Sequence, residues 1–521
     1  MQRSTRNVQR RQMFQHWISS AVIYQVNLRS LAAREPRNAV EAARESRNAD
    51  GGTRSDEFAE ATSSPLRYLT QSLEAVRDLG VNVLYLMPLY PIGREGRKGI
   101  GSPYSIRDFT DVDPEFGTKA DLGELVRRAH ALGLRVILDI TPNHTARDHV
   151  WTGSHPEYYV KTPRGDIHYD CDWSDTAKMD YRNAGLRGAM AEVYRHWLSF
   201  PDPGEGLDGF RLDMAHFIND LSFWNEAVPR LRAGEPGRDI LFLAECYGAR
   251  NNKDLFARGI NAAYDDDFYK FCQYFYGVDE AGGSVIAPAP EAAGNPDFRE
   301  TWDAFQRGGL AGAMERVLTA YDDTGSADGG PWLARYTDNH DEGRGLYRFG
   351  AGAVKAANRA LFLAARSLPF LLTGQEFGAV NRPSIHERFG PCDKGRRVFR
   401  GGQSLRVDPG VEFEGNLFAR GAAARREWRD FYRDLIRLRL DHPALTQGSM
   451  RLLDVGEDCP PRDRAVVAFE RQLGDSTLRC AINLGPEERN LKRADAIEGE
   501  TVYGAMDRRS LAGFAAVVTR G

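Results

Sequence analysis

The sequence predicts an α/β fold: a (β/α)8 TIM barrel with a small insertion domain after strand three and a C-terminal all-β sandwich domain. Short β-rich apolar runs alternate with longer helical patterns through most of the chain, as a parallel sheet with crossover helices requires. Eight such runs over about 430 residues suit an expanded closed barrel better than an open sheet. After His442–Pro443 the helical patterning gives way to short strands. An open doubly wound sheet is the alternative, but no phosphate loop or dinucleotide fingerprint supports it.

In chain order, strands are expected at 22–27, 81–86, 135–139, 209–213 and 240–245, then near 261–264, 333–337 and 369–372. Between them, Leu122, Leu125, Val126 and Ala129 fall on one helical face, and Leu186, Met190, Val193, Tyr194 and Trp197 on another. The last clear helix, 428–440, carries Trp428, Phe431, Tyr432, Leu435 and Ile436 on one side. Short strands follow at 465–470, 478–483 and 515–519. The implied division is a barrel of 1–142 and 181–442, an inserted unit of 143–180, and a C-terminal unit of 443–521. Extra length gathers at 31–64, 145–180, 273–330 and 376–425, and long βα insertions in a barrel collect at the face that carries chemistry. No fixed-period repeat is present.

Composition narrows the function. With 42% hydrophobic and 27% charged residues the chain is an ordinary globular protein. Its formal charge of −4 gives no support for nucleic-acid binding. No window approaches the length of a membrane span. The basic start, MQRSTRNVQRRQMFQHW, lacks the apolar core of a secretory signal, so a cytoplasmic location is expected. Six cysteines are scattered without CxxC or zinc-like spacing, which reads as reduced, inert thiols.

What ends each strand is more informative. The third run finishes RVILDITPNHT, the fourth GFRLDMAHF, the fifth ILFLAECYG and the seventh ARYTDNHDEGR. Closing a barrel would bring Asp139, Asn143, His144, Arg211, Asp213, Glu245, His340 and Asp341 to one end of the sheet, where polar groups read as catalytic. Each also has a plainer reading. Asp139 and Asn143 could cap a turn, His144 could be a hydrogen-bonded structural residue, and Arg211 could pair with Asp213 for stability alone. Four such ends together are hard to explain by structure, because buried charge is costly unless paired. Carboxylates, an Arg and two His without a metal-ligand cluster suit glycosidic bond cleavage.

These motifs resemble those of the α-amylase family, glycoside hydrolase family 13. DITPNH (139–144), GFRLDMAH (209–216), AECYG (244–248) and TDNHD (337–341) look like its four signatures in order. GSPYSIRDFTDVDPEFGT (101–118) resembles the segment bearing its sugar-stacking tyrosine, MDYRN (179–183) the motif closing its inserted domain, and LLTGQEFG (371–378) its last strand. The resemblance implies a retaining hydrolase of α-1,4-glucosidic bonds in maltooligosaccharides or starch. The alternative is a transglycosylase (a glucanotransferase, or a sucrose- or trehalose-related enzyme) using the same intermediate. It assigns Asp213 as nucleophile, Glu245 as acid/base and Asp341 as holder of sugar hydroxyls, with the two reacting carboxyls about 5–5.5 Å apart. Tyr104, His144, Arg211, His216, His340 and Arg344 become substrate-binding or orienting residues. No cofactor is implied for the chemistry. A structural calcium is, with Asn143 and Asp180 matching ligands and a backbone oxygen at position 217. Many endo-acting members place a Lys-His pair where this chain has His216 and Phe217, so a different acceptor side is expected. A non-catalytic barrel would be expected to have lost a carboxylate, and none is missing.

Overall fold

The structure, a computed structural model, describes residues 17–32, 64–324, 330–380, 385 and 423–521. The loop expected at 31–64, most of 376–425 and Cys392 lie outside them. Eight parallel strands close a barrel: β1 (Ile23–Val26), β2 (Val83–Leu86), β3 (Arg135–Ile140), β4 (Gly209–Leu212), β5 (Leu241–Ala244), β6 (Ala262–Tyr264), β7 (Trp332–Arg335) and β8 (Ser367–Leu372). Neighbours in sequence are neighbours in the sheet, and β8 returns to β1. Nearly every strand residue is buried, which explains why the strands read as continuous apolar runs rather than alternating ones.

The helical faces fall inward as expected. In Lys119–Ala131, Leu122, Leu125, Val126 and Ala129 are buried, and the helix opens on a capping box between Thr118 and Asp121. In Ala184–Leu198 the buried set includes Leu186, Met190, Val193, Tyr194 and Trp197. Inside the barrel, Tyr85, Tyr264, Tyr336 and Phe370 pack on one another.

Segment 273–330, which reads as Gly/Ala/Pro-rich extra length, holds a hairpin (Tyr276–Val278 with Ser284–Ile286) and the helix Arg299–Thr319. Gly309 breaks that helix at φ 63°, and its glycines hide the helical pattern. After strand three, His144–Ala146 pairs antiparallel with Thr176–Lys178 to anchor the insertion.

The C-terminal unit is all-β. Its strands β9 (Ser449–Leu452), β10 (Val466–Leu473), β11 (Ser476–Asn483), β12 (Glu500–Gly504) and β13 (Ala516–Arg520) form one antiparallel sheet, beside a two-stranded sheet of Arg489–Asn490 and Ser510–Leu511. Val466, Ala468, Ala481 and Val517 face a small core of their own, while Val467, Phe469, Cys480, Ile482 and Val518 join the main core. That alternation is the period-two signature of a sheet buried on both faces. The five described cysteines are free thiols, and no helix among the described residues is long and apolar enough to cross a membrane.

Candidate active site

Parallel register builds the floor of the site. Asp139 on β3 stands directly opposite Arg211 on β4, so both side chains point the same way from adjacent strands. Arg211 Nη1 donates to Asp139 Oδ1 at 2.9 Å and to Asp213 Oδ1 at 2.7 Å, while Nη2 lies 3.0 Å from Glu245 Oε2. One guanidinium therefore holds a carboxyl from the end of each of three consecutive strands. It is itself buried, 5.5 Å from the ring of Tyr264 and 5.7 Å from that of Tyr104.

Each acid is held from a second side. Tyr85 donates to Asp139 at 2.5 Å. Glu245 accepts the Met214 N–H on Oε2 at 2.9 Å and the Tyr247 hydroxyl on Oε1 at 2.5 Å, which fixes the plane of its carboxyl. Met214 reaches that position through a left-handed φ of 46°, a conformation that costs a side-chain-bearing residue about 1–3 kcal/mol. The strain sits one residue after Asp213.

Three carboxyls on one buried cation would carry a net negative charge if all were ionised. Burial and the neighbouring Glu245 push the Asp213 carboxyl up, against the pull of Arg211. Burial raises Asp139 to about 6 despite Arg211 and Tyr85. The cluster thus keeps its last proton above the ordinary carboxylate range, as a shared property of the group.

The rest of the rim is laced by hydrogen bonds. Gln25 Nε2 donates to His340 Nδ1 at 2.8 Å, leaving the ring proton on Nε2, which meets the Tyr104 hydroxyl at 2.6 Å and Asp341 at 3.1 Å. Asp341 is the exposed acid of the group, with 44% of its side chain accessible. His144 takes the Asn143 amide on Nδ1, and burial, then the Lys178 charge, lowers it to about 4, so it is a neutral donor at pH 7. His216 is half-buried, edge-on to Phe217 and Tyr247, and Phe217 is exposed.

Three of the expected site residues, Arg344, Asn143 and Asp180, have protein partners of their own. Arg344 is buried, and its guanidinium faces Asp338 and the backbone carbonyls of Leu372 and Thr373. It braces the loops after β7 and β8. Asn143 and Asp180 have separate partners. The Lys178 ammonium lies 2.5 Å from Asn143 Oδ1, 2.6 Å from Asp170 and 2.7 Å from the Phe217 carbonyl. Asp180 is instead paired with Arg182 and Asn219. A cation is already fixed among the oxygens a calcium would need, so the donor set does not fit the metal.

Of the insertion's aromatics, Trp151, Tyr158 and Tyr159 form its packing, whereas Tyr169 is exposed and Trp173 stands 5.4 Å from the ring of His144. Tyr85, Gln25, Tyr247 and Lys178 are absent from the set read off the sequence. Only Tyr247 carries a signal there, two residues after Glu245 and therefore able to share its side of the chain.

A model of the alpha amylase catalytic domain matches residues 53–233, a stretch spanning Tyr104, His144, Arg211 and Asp213. Over 515 residues the chain is 24% identical to Alpha-amylase 3 of Dictyoglomus thermophilum, covering 90% of this chain and 85% of that protein. Residues 53–233 thus carry the pattern of an α-amylase catalytic domain. Another relative, the alpha-1,4-glucan:maltose-1-phosphate maltosyltransferase of Arcanobacterium haemolyticum, is 31% identical over 219 residues, 38% of this chain but 30% of that protein. Among solved structures, a noncanonic maltogenic alpha-amylase from Thermotoga neapolitana shares the fold, with a TM-score of 0.64, 20% identity and 97% of each chain covered.

Proposed function

We propose that this chain is a member of the α-amylase family and hydrolyses α-1,4-glucosidic bonds of maltooligosaccharides or starch with retention, through a covalent glycosyl-enzyme. The observation that carries the reading is the Arg211 guanidinium joining Asp139, Asp213 and Glu245 at the mouth of the barrel. Retaining cleavage needs one anionic and one protonated carboxyl on either side of a cationic centre. A cluster that gathers the carboxyls of Asp213 and Glu245 around one cation supplies the pair.

In this reading Asp213 attacks the anomeric carbon as the glycosidic C–O bond breaks, and the departing oxygen takes the proton of Glu245. Arg211 binds Asp213 Oδ1, so Oδ2 is the attacking oxygen. The Glu245 carboxylate then removes a proton from water, the water oxygen attacks the same carbon, and Asp213 leaves as carboxylate. Asp341, Tyr104 and the Nε2–H of His144 hold the ring, and His340 positions the Tyr104 hydroxyl.

A second reading, transfer of the sugar to another sugar, is favoured by the exposed Phe217 beside half-buried His216 on the Glu245 side, where an acceptor ring could stack. A time course on maltoheptaose separates the two. Hydrolysis gives only shorter chains with one new reducing end per cut, and transfer gives chains longer than the substrate. Asp213→Asn is expected to lower either rate by at least about 10³-fold, because the covalent route is lost. An unchanged rate would remove Asp213 from the mechanism.

A further inference from the structure

The ammonium of Lys178 occupies the centre of an oxygen cage drawn from three separate parts of the chain. Asn143 follows β3, Asp170 lies within the insertion, and Phe217 belongs to the loop after β4. Lys178 ends the insertion's anchoring strand and stands opposite His144 in its register. Its side chain is 8% exposed, and an amide oxygen, a carboxylate and a backbone carbonyl are the ligand types of a hard divalent cation. Burial alone would raise Asp170, but the hydrogen bonds of Lys178 and Asn143 outweigh it and hold the carboxyl below its ordinary range.

We infer that Lys178 is this chain's built-in replacement for a structural divalent cation, cross-linking the insertion, the β3 loop and the β4 loop through a side chain that cannot dissociate. A covalently tethered charge needs no free metal. Chelators should therefore leave the wild type intact. Deleting the ammonium should leave a vacated oxygen cage with one carboxylate, the arrangement that calcium takes. The inference does not depend on the glycosidic reading, because its readout is the unfolding temperature.

The test compares the wild type and Lys178→Ala in EDTA and in millimolar calcium chloride, with the variant expressed and refolded under both conditions. The wild-type Tm is expected to be the same in both. The variant is expected to lose about 5 °C or more in EDTA, as for a broken buried ion pair, and to regain much of it in calcium but not in an equal concentration of sodium. A wild-type Tm that falls in EDTA and returns with calcium would overturn the inference. So would a variant as stable as the wild type, or one that is destabilised, or fails to fold, equally with and without calcium.

Discussion

His149 shows how much one side chain in this fold carries. Its Nδ1 accepts the Trp151 N–H and caps the helix Val150–Ser154, while its ring is buried against Phe109 and Trp151. Burial lowers it to about 3, against a small opposing pull from Asp108. A histidine whose folded value lies below its unfolded value of about 6.5 contributes stability above that pH. The contribution is lost as pH falls through the folded value, at up to about 1.4 kcal/mol per pH unit. His149→Asn keeps a capping acceptor and removes the titration. The variant should melt below the wild type at pH 7, and the gap should narrow steadily towards pH 4. A gap that stays constant over that range would contradict the assignment. At this scale the sequence is an uneven guide. Asp213 and Glu245 are legible because each sets a charge directly after a buried strand. Lys178 is not, because its meaning lies in three oxygens contributed by distant segments. Arg344 reads as a site residue by its place after Asp341, and its hydrogen bonds to the Leu372 and Thr373 carbonyls have no signal in the sequence.

At the scale of elements, all eight barrel strands are legible, since burial on both faces leaves a largely apolar run with a polar end. The helix Arg299–Thr319 is obscured by Gly308, Gly309 and Gly312, and the structure supplies the reason for one of them. A β-carbon at Gly309 would stand 2.4 Å from the Arg464 carbonyl of the C-terminal unit, and φ 63° with ψ −159° is a conformation open to glycine almost alone. The glycine is thus set by the approach of another domain, which no local pattern announces. Gly309→Ala should destabilise the protein by at least about 2–3 kcal/mol through strain and contact, read as a lower denaturant midpoint with unchanged slope. An unaltered midpoint would mean that the two units do not meet this closely in solution.

At the scale of the whole molecule, barrel closure converts sequence distance into proximity. Asp139 and His340 are 201 residues apart by number, yet both hydrogen-bond the hydroxyl of Tyr104. The C-terminal sheet is joined to the barrel's opposite side. Arg471 reaches the carbonyls of Leu363, Leu445 and Gly448, and Arg439 those of Phe362, Leu445 and Ser367. These buried cations rest on carbonyl dipoles and have no part in the mouth of the barrel. The division of labour is the usual one for this fold, with chemistry at the C-terminal ends of the strands and stability at the other. The central claim is that Asp213 becomes esterified to the sugar. It is tested most directly by incubating the enzyme with a fluorinated α-glucosyl fluoride, whose electron-poor ring slows hydrolysis of the ester, and mapping the labelled peptide by mass spectrometry. The account predicts one added fluoroglucosyl group, on the peptide containing Asp213. A label on a different carboxylate, or turnover that releases the inverted sugar without any label, would contradict it.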